Sequence, residues 1–178
     1  MASYAKAKGK NFEREFAAHL SNVFGLSFMR IPNSGAFTGG KNFFRKALLS
    51  KSQNLLMTGD LIMPDELHNI SVECKFYAKF SFVTLFSSNK QLDGWIAQAE
   101  TANKLWFLPF KVNNCGVHVV YDPALAQLSI PGNYMKYSKY IIVPLDGFFE
   151  SNKEFLLNYC KKSDTLESET SSVAVQTT

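Results

Sequence analysis

Three residues of this chain have the types and spacing to act together on a bound water: Asp60, Glu73 and Lys75. They lie in the stretch Thr58 to Phe76, TGDLIMPDELHNISVECKF. Its pattern predicts two short apolar strands, Gly59 to Met63 and Ile70 to Phe76. Pro64, Asp65 and Glu66 form the turn between them, and His68 and Asn69 finish the loop. Side chains alternate along a strand, so Ile70, Val72, Cys74 and Phe76 share one face, while Ser71, Glu73 and Lys75 share the other. Opposite charges two residues apart on an apolar strand are costly unless something uses them. Pairing the two strands would bring Asp60 to Glu73. Two carboxylates in one partly buried place repel, and a hard divalent cation with oxygen ligands relieves the repulsion. Lys75 would then sit beside any water bound to that metal. The plainer alternative for the same residues is a hairpin with a cross-strand ion pair.

The elements that must position these residues can be read on either side. Upstream, Phe12, Phe16, Leu20 and Val23 recur at helical spacing and predict a helix from Gly9 to about Phe24, capped by Gly25. Residues 1–8 read as a loose basic arm. Leu26 to Ile31 reads as a strand closed by Pro32. Residues 33–57 form a long basic insert, in which Lys41 to Ser50 suits a short amphipathic helix that contacts a ligand or packs on the sheet edge. Downstream, Asn89 to Asn103 reads as a helix with Leu92, Ile96 and Ala99 on one stripe. Lys104 to Lys111 and Cys115 to Tyr121 read as a hairpin, with His118 as a packed residue. Residues 124–139 read as irregular. Tyr140 to Pro144 is a last strand, and Gly147 to Lys162 a closing helix. Residues 163–178 are Ser/Thr-rich and acidic and read as a disordered tail.

The totals narrow the function classes. A chain of 178 residues with 46% hydrophobic and 14% aromatic residues supports one globular domain. No apolar run approaches a membrane span, and the first residues carry no apolar signal core, so a cytoplasmic protein (host cytoplasm if viral) without a membrane partner is expected. Cys74, Cys115 and Cys160 are widely spaced, which speaks against a zinc site or a disulfide framework. No stretch has P-loop spacing, so no nucleotide cofactor is expected. Charge is uneven: residues 1–51 hold nine Lys or Arg against two acids, a net of +7, and the rest sums to −3. A basic third flanking an acidic pocket suits a binder of phosphate backbones with a metal site, as it also suits an ordinary solvated surface.

Asp60 followed by Glu73-Cys74-Lys75 resembles the Asp … Glu-x-Lys signature of the PD-(D/E)XK nuclease superfamily, with Gly59 where a proline commonly stands. Two further strings are similar to archaeal- and phage-type Holliday-junction resolvases. GKNFERE, from Gly9 to Glu15, resembles their Gly-x-x-x-Glu-Arg-Glu opening. Arg30 with Ser34-Gly35 resembles their Arg-x-x-x-Ser-Gly string. The resemblance covers roughly residues 9–121. It implies a restriction-endonuclease-like α/β fold, with an α-β-β-β-α-β core and a mixed central sheet flanked by helices.

The same resemblance implies a site. Asp60, Glu73 and the backbone carbonyl of Cys74 would hold Mg²⁺, with Mn²⁺ as a substitute, as one or two ions. Glu13 would hold a second ion or reach it through water. Lys75 would orient the attacking water, Ser34 would lie near the scissile phosphate, and Gln98 or Gln91 would face the site, since helix register does not choose between them. Lys8, Lys10, Arg14, Arg30, Lys41, Arg45 and Lys46 are the candidate DNA contacts. The implied activity is hydrolysis of DNA phosphodiester bonds, at four-way junctions first, by a two-fold dimer. The alternatives are a nuclease of this fold acting on ends, flaps or duplex, a non-catalytic DNA-binding module, or an α/β domain whose ion pair is structural.

Overall fold

The computed structural model describes residues 2–32, 59–102 and 104–175, with side chains for 6–32, 59–102 and 104–162. The first helix, α1, runs from Ala2 to Phe24. It begins well before Gly9, so the stretch expected as a loose arm is helical backbone; its alanines and lysines are good helix formers. Phe12, Phe16, Leu20 and Phe24 are buried on its inner stripe, and Val23 packs partly against them. Gly25 takes a φ of +70° and donates its N–H back to Ser21 O at 2.9 Å, which ends the helix.

Two very short strands follow, β1 (Met29–Arg30) and β2 (Leu61–Ile62), paired antiparallel with Arg30 opposite Leu61. A 3-10 turn at Asp65–Leu67 leads into β3 (Ile70–Val72) and β4 (Lys75–Tyr77). A second 3-10 turn spans Phe82–Phe86, and α2 spans Lys90–Glu100. Next come β5 (Leu105–Val112), β6 (Gly116–Tyr121), β7 (Met135–Tyr137) and β8 (Tyr140–Pro144), and α3 (Phe148–Val175) closes the chain. Two expectations are corrected here. The 124–139 region contains a strand, β7, because it finds a partner in β8. The closing helix runs past Lys162 to Val175 in backbone, since no Gly or Pro interrupts it.

The expected pairing of the Asp60 strand with the Glu73 strand is also corrected. β2 pairs β1, whereas β3 and β4 both pair β5 in parallel. The physical reason is the α2 crossover, which returns the chain in the same direction as β3 and β4. The six-stranded sheet runs β3 and β4, β5, β6, β8, β7, and is antiparallel from β5 onward. Helices cover both faces. Leu105 and Phe107 of β5 pack toward α1 and α3, while Trp106, Leu108, Phe110 and Val112 pack toward α2. That alternation is why β5 reads as a continuous apolar run. Phe149 of α3 anchors the first core, its ring meeting Phe16 at 5.8 Å and Phe107 at 5.2 Å. This is a mixed α/β architecture with the α-β-β-β-α-β order of the restriction-endonuclease-like fold.

Candidate active site

Asp60 is fixed by its backbone on two sides. Its N–H donates to Val72 O at 2.8 Å and its carbonyl accepts from Ile31 N at 2.8 Å. The residue before it makes this approach possible. Gly59 has a φ of +83°, and a Cβ there would lie 2.5 Å from the carbonyl oxygen of Val72. A proline, locked near a φ of about −65°, could not stand at this position. Glycine therefore replaces it for a local reason: the chain passes against β3.

The ladder between β3 and β5 reaches Glu73, whose N–H donates to Phe107 O at 3.0 Å. At Cys74 it breaks. The Cys74 N–H turns to the Asp60 carboxylate instead, 2.8 Å from Oδ2. Pairing resumes at Lys75, opposite Phe110. The interruption leaves Glu73 and Lys75 projecting to one place. Lys75 Nζ donates to Glu73 Oε1 at 2.7 Å and to Gln98 Oε1 at 2.8 Å. The Gln98 amide closes the triangle, donating from Nε2 to Glu73 Oε1 at 2.6 Å. Gln98 is thus the glutamine at the site. Gln91 lies elsewhere, in the wall of a separate cleft.

The electrostatics follow from burial and crowding. Asp60 is 9% exposed and Glu73 8%. Burial first, and the neighbouring negative charge of Asp60 second, push the Glu73 carboxyl up to about 7, against the pull of Lys75. Glu13, on α1, is raised by burial and by Asp60 and lowered by its contact with Arg30. The Cys74 thiol is pushed well up by burial and by the three surrounding carboxylates, so it is no nucleophile here. Among the described residues no three His, Cys, Asp or Glu side chains form a ready cation cage. The donor set still suits a hard divalent ion, because mutually repelling carboxylate oxygens are what such an ion neutralises.

The other sequence candidates sort by place. Arg30 Nε donates to Glu13 Oε2, a pairing that a sequence separation of 17 hid from the sequence. Lys10 lies close enough for its charge to lower Glu13. The Lys8 ammonium stands 5.4 Å from the centre of the Phe76 ring. Lys111, which the sequence did not single out, lies 5.6 Å from the same ring and pairs with Glu15 at 2.7 Å. Arg14 donates to Asn11 on the surface at 3.0 Å. Ser34, Lys41, Arg45, Lys46 and the insert lie outside the described residues. His118 is packed between the rings of Phe82 and Phe110, and burial lowers it. No helix among the described residues is long and apolar enough to cross a membrane.

A mixed sheet between helices, with an acid pair and a lysine at the break beside its edge, defines a chain of the PD-(D/E)XK nuclease superfamily. The family described as "Phage putative PDDEXK endonuclease" matches residues 4–156, and the chain belongs to it. No curated protein and no solved structure gives a significant match.

Proposed function

We propose that the protein is a Mg²⁺-dependent DNA endonuclease whose preferred substrate is a four-way junction. The observation that carries the hydrolytic reading is the meeting of Asp60 and Glu73 beside the Lys75–Gln98 pair, in a family of nucleases. Asp60, Glu73 and the Cys74 carbonyl would hold the ion, with Glu13 within reach of a second. When bound, Mg²⁺ (or Mn²⁺) supplies Lewis-acid polarisation of the phosphoryl group and a more acidic water.

The chain's own residues do the rest. Lys75 is held by two acceptors and keeps an N–H to aim at the attacking water or a phosphoryl oxygen. It orients water and stabilises charge as a compact cation. Gln98 fixes Lys75 and Glu73 relative to one another. Lys8, Lys10, Arg14 and Arg30, with Lys41, Arg45 and Lys46 of the insert, would hold the phosphate backbone, and Ser34 would lie near the scissile phosphate. Junction preference rests on the GKNFERE and Arg30 … Ser34-Gly35 strings. Symmetric cutting of two strands requires a two-fold dimer.

The test is incubation with a labelled immobile four-way junction, a flap and a linear duplex, with and without Mg²⁺. Paired symmetric nicks in the junction are expected. Asp60→Ala, Glu73→Ala and Lys75→Ala should each abolish the cut while leaving the fold intact. Parental cutting by any one of them overturns the site, and equal cutting of all three DNAs overturns the junction preference.

A further inference from the structure

A second feature lies on the same face of α2 as the site. Gln91 and Gln98 are seven residues apart, two helical turns, or about 10 Å along the axis. Gln91 forms one wall of an open cleft of about 490 Å³, within the roughly 300–1,000 Å³ of small-ligand clefts. Lys79, Phe80 and Ser81, just beyond β4, form a second wall, and Asn113 and Cys115 of the β5–β6 turn a third. The walls are tied together: Asn113 N–H donates to Tyr77 O at 3.4 Å, and the Phe80 ring stacks on Trp95 at 5.7 Å. Tyr77, two residues after Lys75 and two before Lys79, is 42% exposed, its ring 4.8 Å from that of Trp95. The cleft therefore joins an aromatic surface, three neutral hydrogen-bonding side chains and one cation.

That set fits a nucleotide. Amide and hydroxyl groups read the edge of a nucleobase, aromatic rings stack on its face, and a lysine holds its phosphate. A base inside a duplex cannot offer its face or its pairing edge; an unpaired one does. We propose that the cleft seats one unpaired nucleotide of the DNA, a step or two along the strand from the phosphate held at Lys75. The proposal rests on the nuclease reading above and deepens it. Selection of flapped DNA over duplex would come from the unpaired base, recognised by Phe80, Gln91 and Asn113, with Lys79 on its phosphate; a four-way junction, whose bases are all paired, is recognised without this cleft.

Cys115 provides the test. It lines the cleft and is exposed, whereas Cys74 and Cys160 are buried. The full chain carrying Asp60→Asn, expected to bind without cutting, is treated with a maleimide in Mg²⁺. Three conditions are compared: no DNA, a linear duplex, and the same duplex bearing a short unpaired flap. Saturating flap DNA should slow Cys115 modification about tenfold, the value for a site nine-tenths occupied, and bound duplex should slow it much less. Gln91→Leu and Lys79→Ala, each folded by circular dichroism, should lose the preference for flap over duplex but keep duplex affinity. If flap DNA binds by anisotropy and Cys115 reacts at the DNA-free rate, the cleft proposal falls while the nuclease reading stands. If no DNA binds at all, both fall.

Discussion

Replacing Glu73 with Gln should make the folded chain more stable while removing its chemistry. The Glu73 carboxyl titrates at about 7 in the fold, against an ordinary 4.5, because burial disfavours its charge and Asp60 repels it. The folded state therefore holds this proton more tightly than the unfolded chain does. Stability falls as pH rises from 4.5 to about 7, and above that the full cost of the buried charge is present. At about 1.4 kcal/mol per pH unit this cost is about 3 kcal/mol. The substituted amide would retain an oxygen for Lys75 and Gln98 but carry no charge. The attraction of Lys75 is already contained in that shift, so nothing more is subtracted for the lost ion partner. The net gain is about 3 kcal/mol at about pH 8 without divalent ions, or roughly 6–12 °C in Tm for a chain of this size. At about pH 4 the parental carboxyl is protonated in both states and the gain vanishes. Mg²⁺ should raise the Tm of the parental chain and leave Glu73→Gln nearly unmoved, because only the former presents both carboxylates. Thermal melts at the two pH values, with and without Mg²⁺, make the measurement. A Glu73→Gln chain that melts at or below the parental chain near pH 8 without metal would refute the claim that the site stores charge repulsion.

Three other outcomes follow from the geometry. Gly59→Ala should cost at least about 1–2 kcal/mol of stability from its left-handed backbone alone, with more from contact with the Val72 carbonyl, and so lower the urea midpoint; an unchanged midpoint would mean that β3 and Asp60 are not packed as described. Gln98→Ala should reduce the Mg²⁺-dependent cleavage rate about tenfold with little change in KM, since Lys75 and Glu73 keep each other but lose their brace; a raised KM at an unchanged rate would instead place Gln98 on the DNA. Asn89→Ala should destabilise by about 1 kcal/mol or more, because its side chain accepts from Gln91 N and Leu92 N at the start of α2; calorimetry reads the loss directly.

Helices and the central hairpin were legible in the sequence because their periodicity is strong. Phe12, Phe16 and Leu20 gave the inner face of α1, and Leu92, Ile96 and Ala99 that of α2. The β5–β6 pair was legible because an apolar run stops at Asn113-Asn114 and starts again. Strand partners were not. The Asp60 strand looks like half of a hairpin with the next apolar run, and nothing local reveals that β1 and β5 outcompete that pairing. Glu73 and Lys75 could be grouped because alternation puts them on one face, whereas Asp60 joined them only through the Asp … Glu-x-Lys resemblance and a strand pairing that the fold does not make. Gln98 could not be separated from Gln91, since seven residues return a helix to nearly the same face; contact with Lys75 decides it. The Arg30–Glu13 pair joins two elements that show no mutual periodicity, so no pattern announced it.

The start of α2 is held from far down the chain. Tyr137 of β7 accepts a hydrogen bond from Asn89 N at 2.8 Å and donates to Asp93. Every acid, lysine and amide of the catalytic cluster precedes residue 99, yet the helix that aims Gln98 is moored by a strand nearly forty residues later. A fragment ending after Tyr121 would carry the whole reactive set without its mooring. The reactive groups and the framework that aims them thus occupy different lengths of chain, the first ending well before the second.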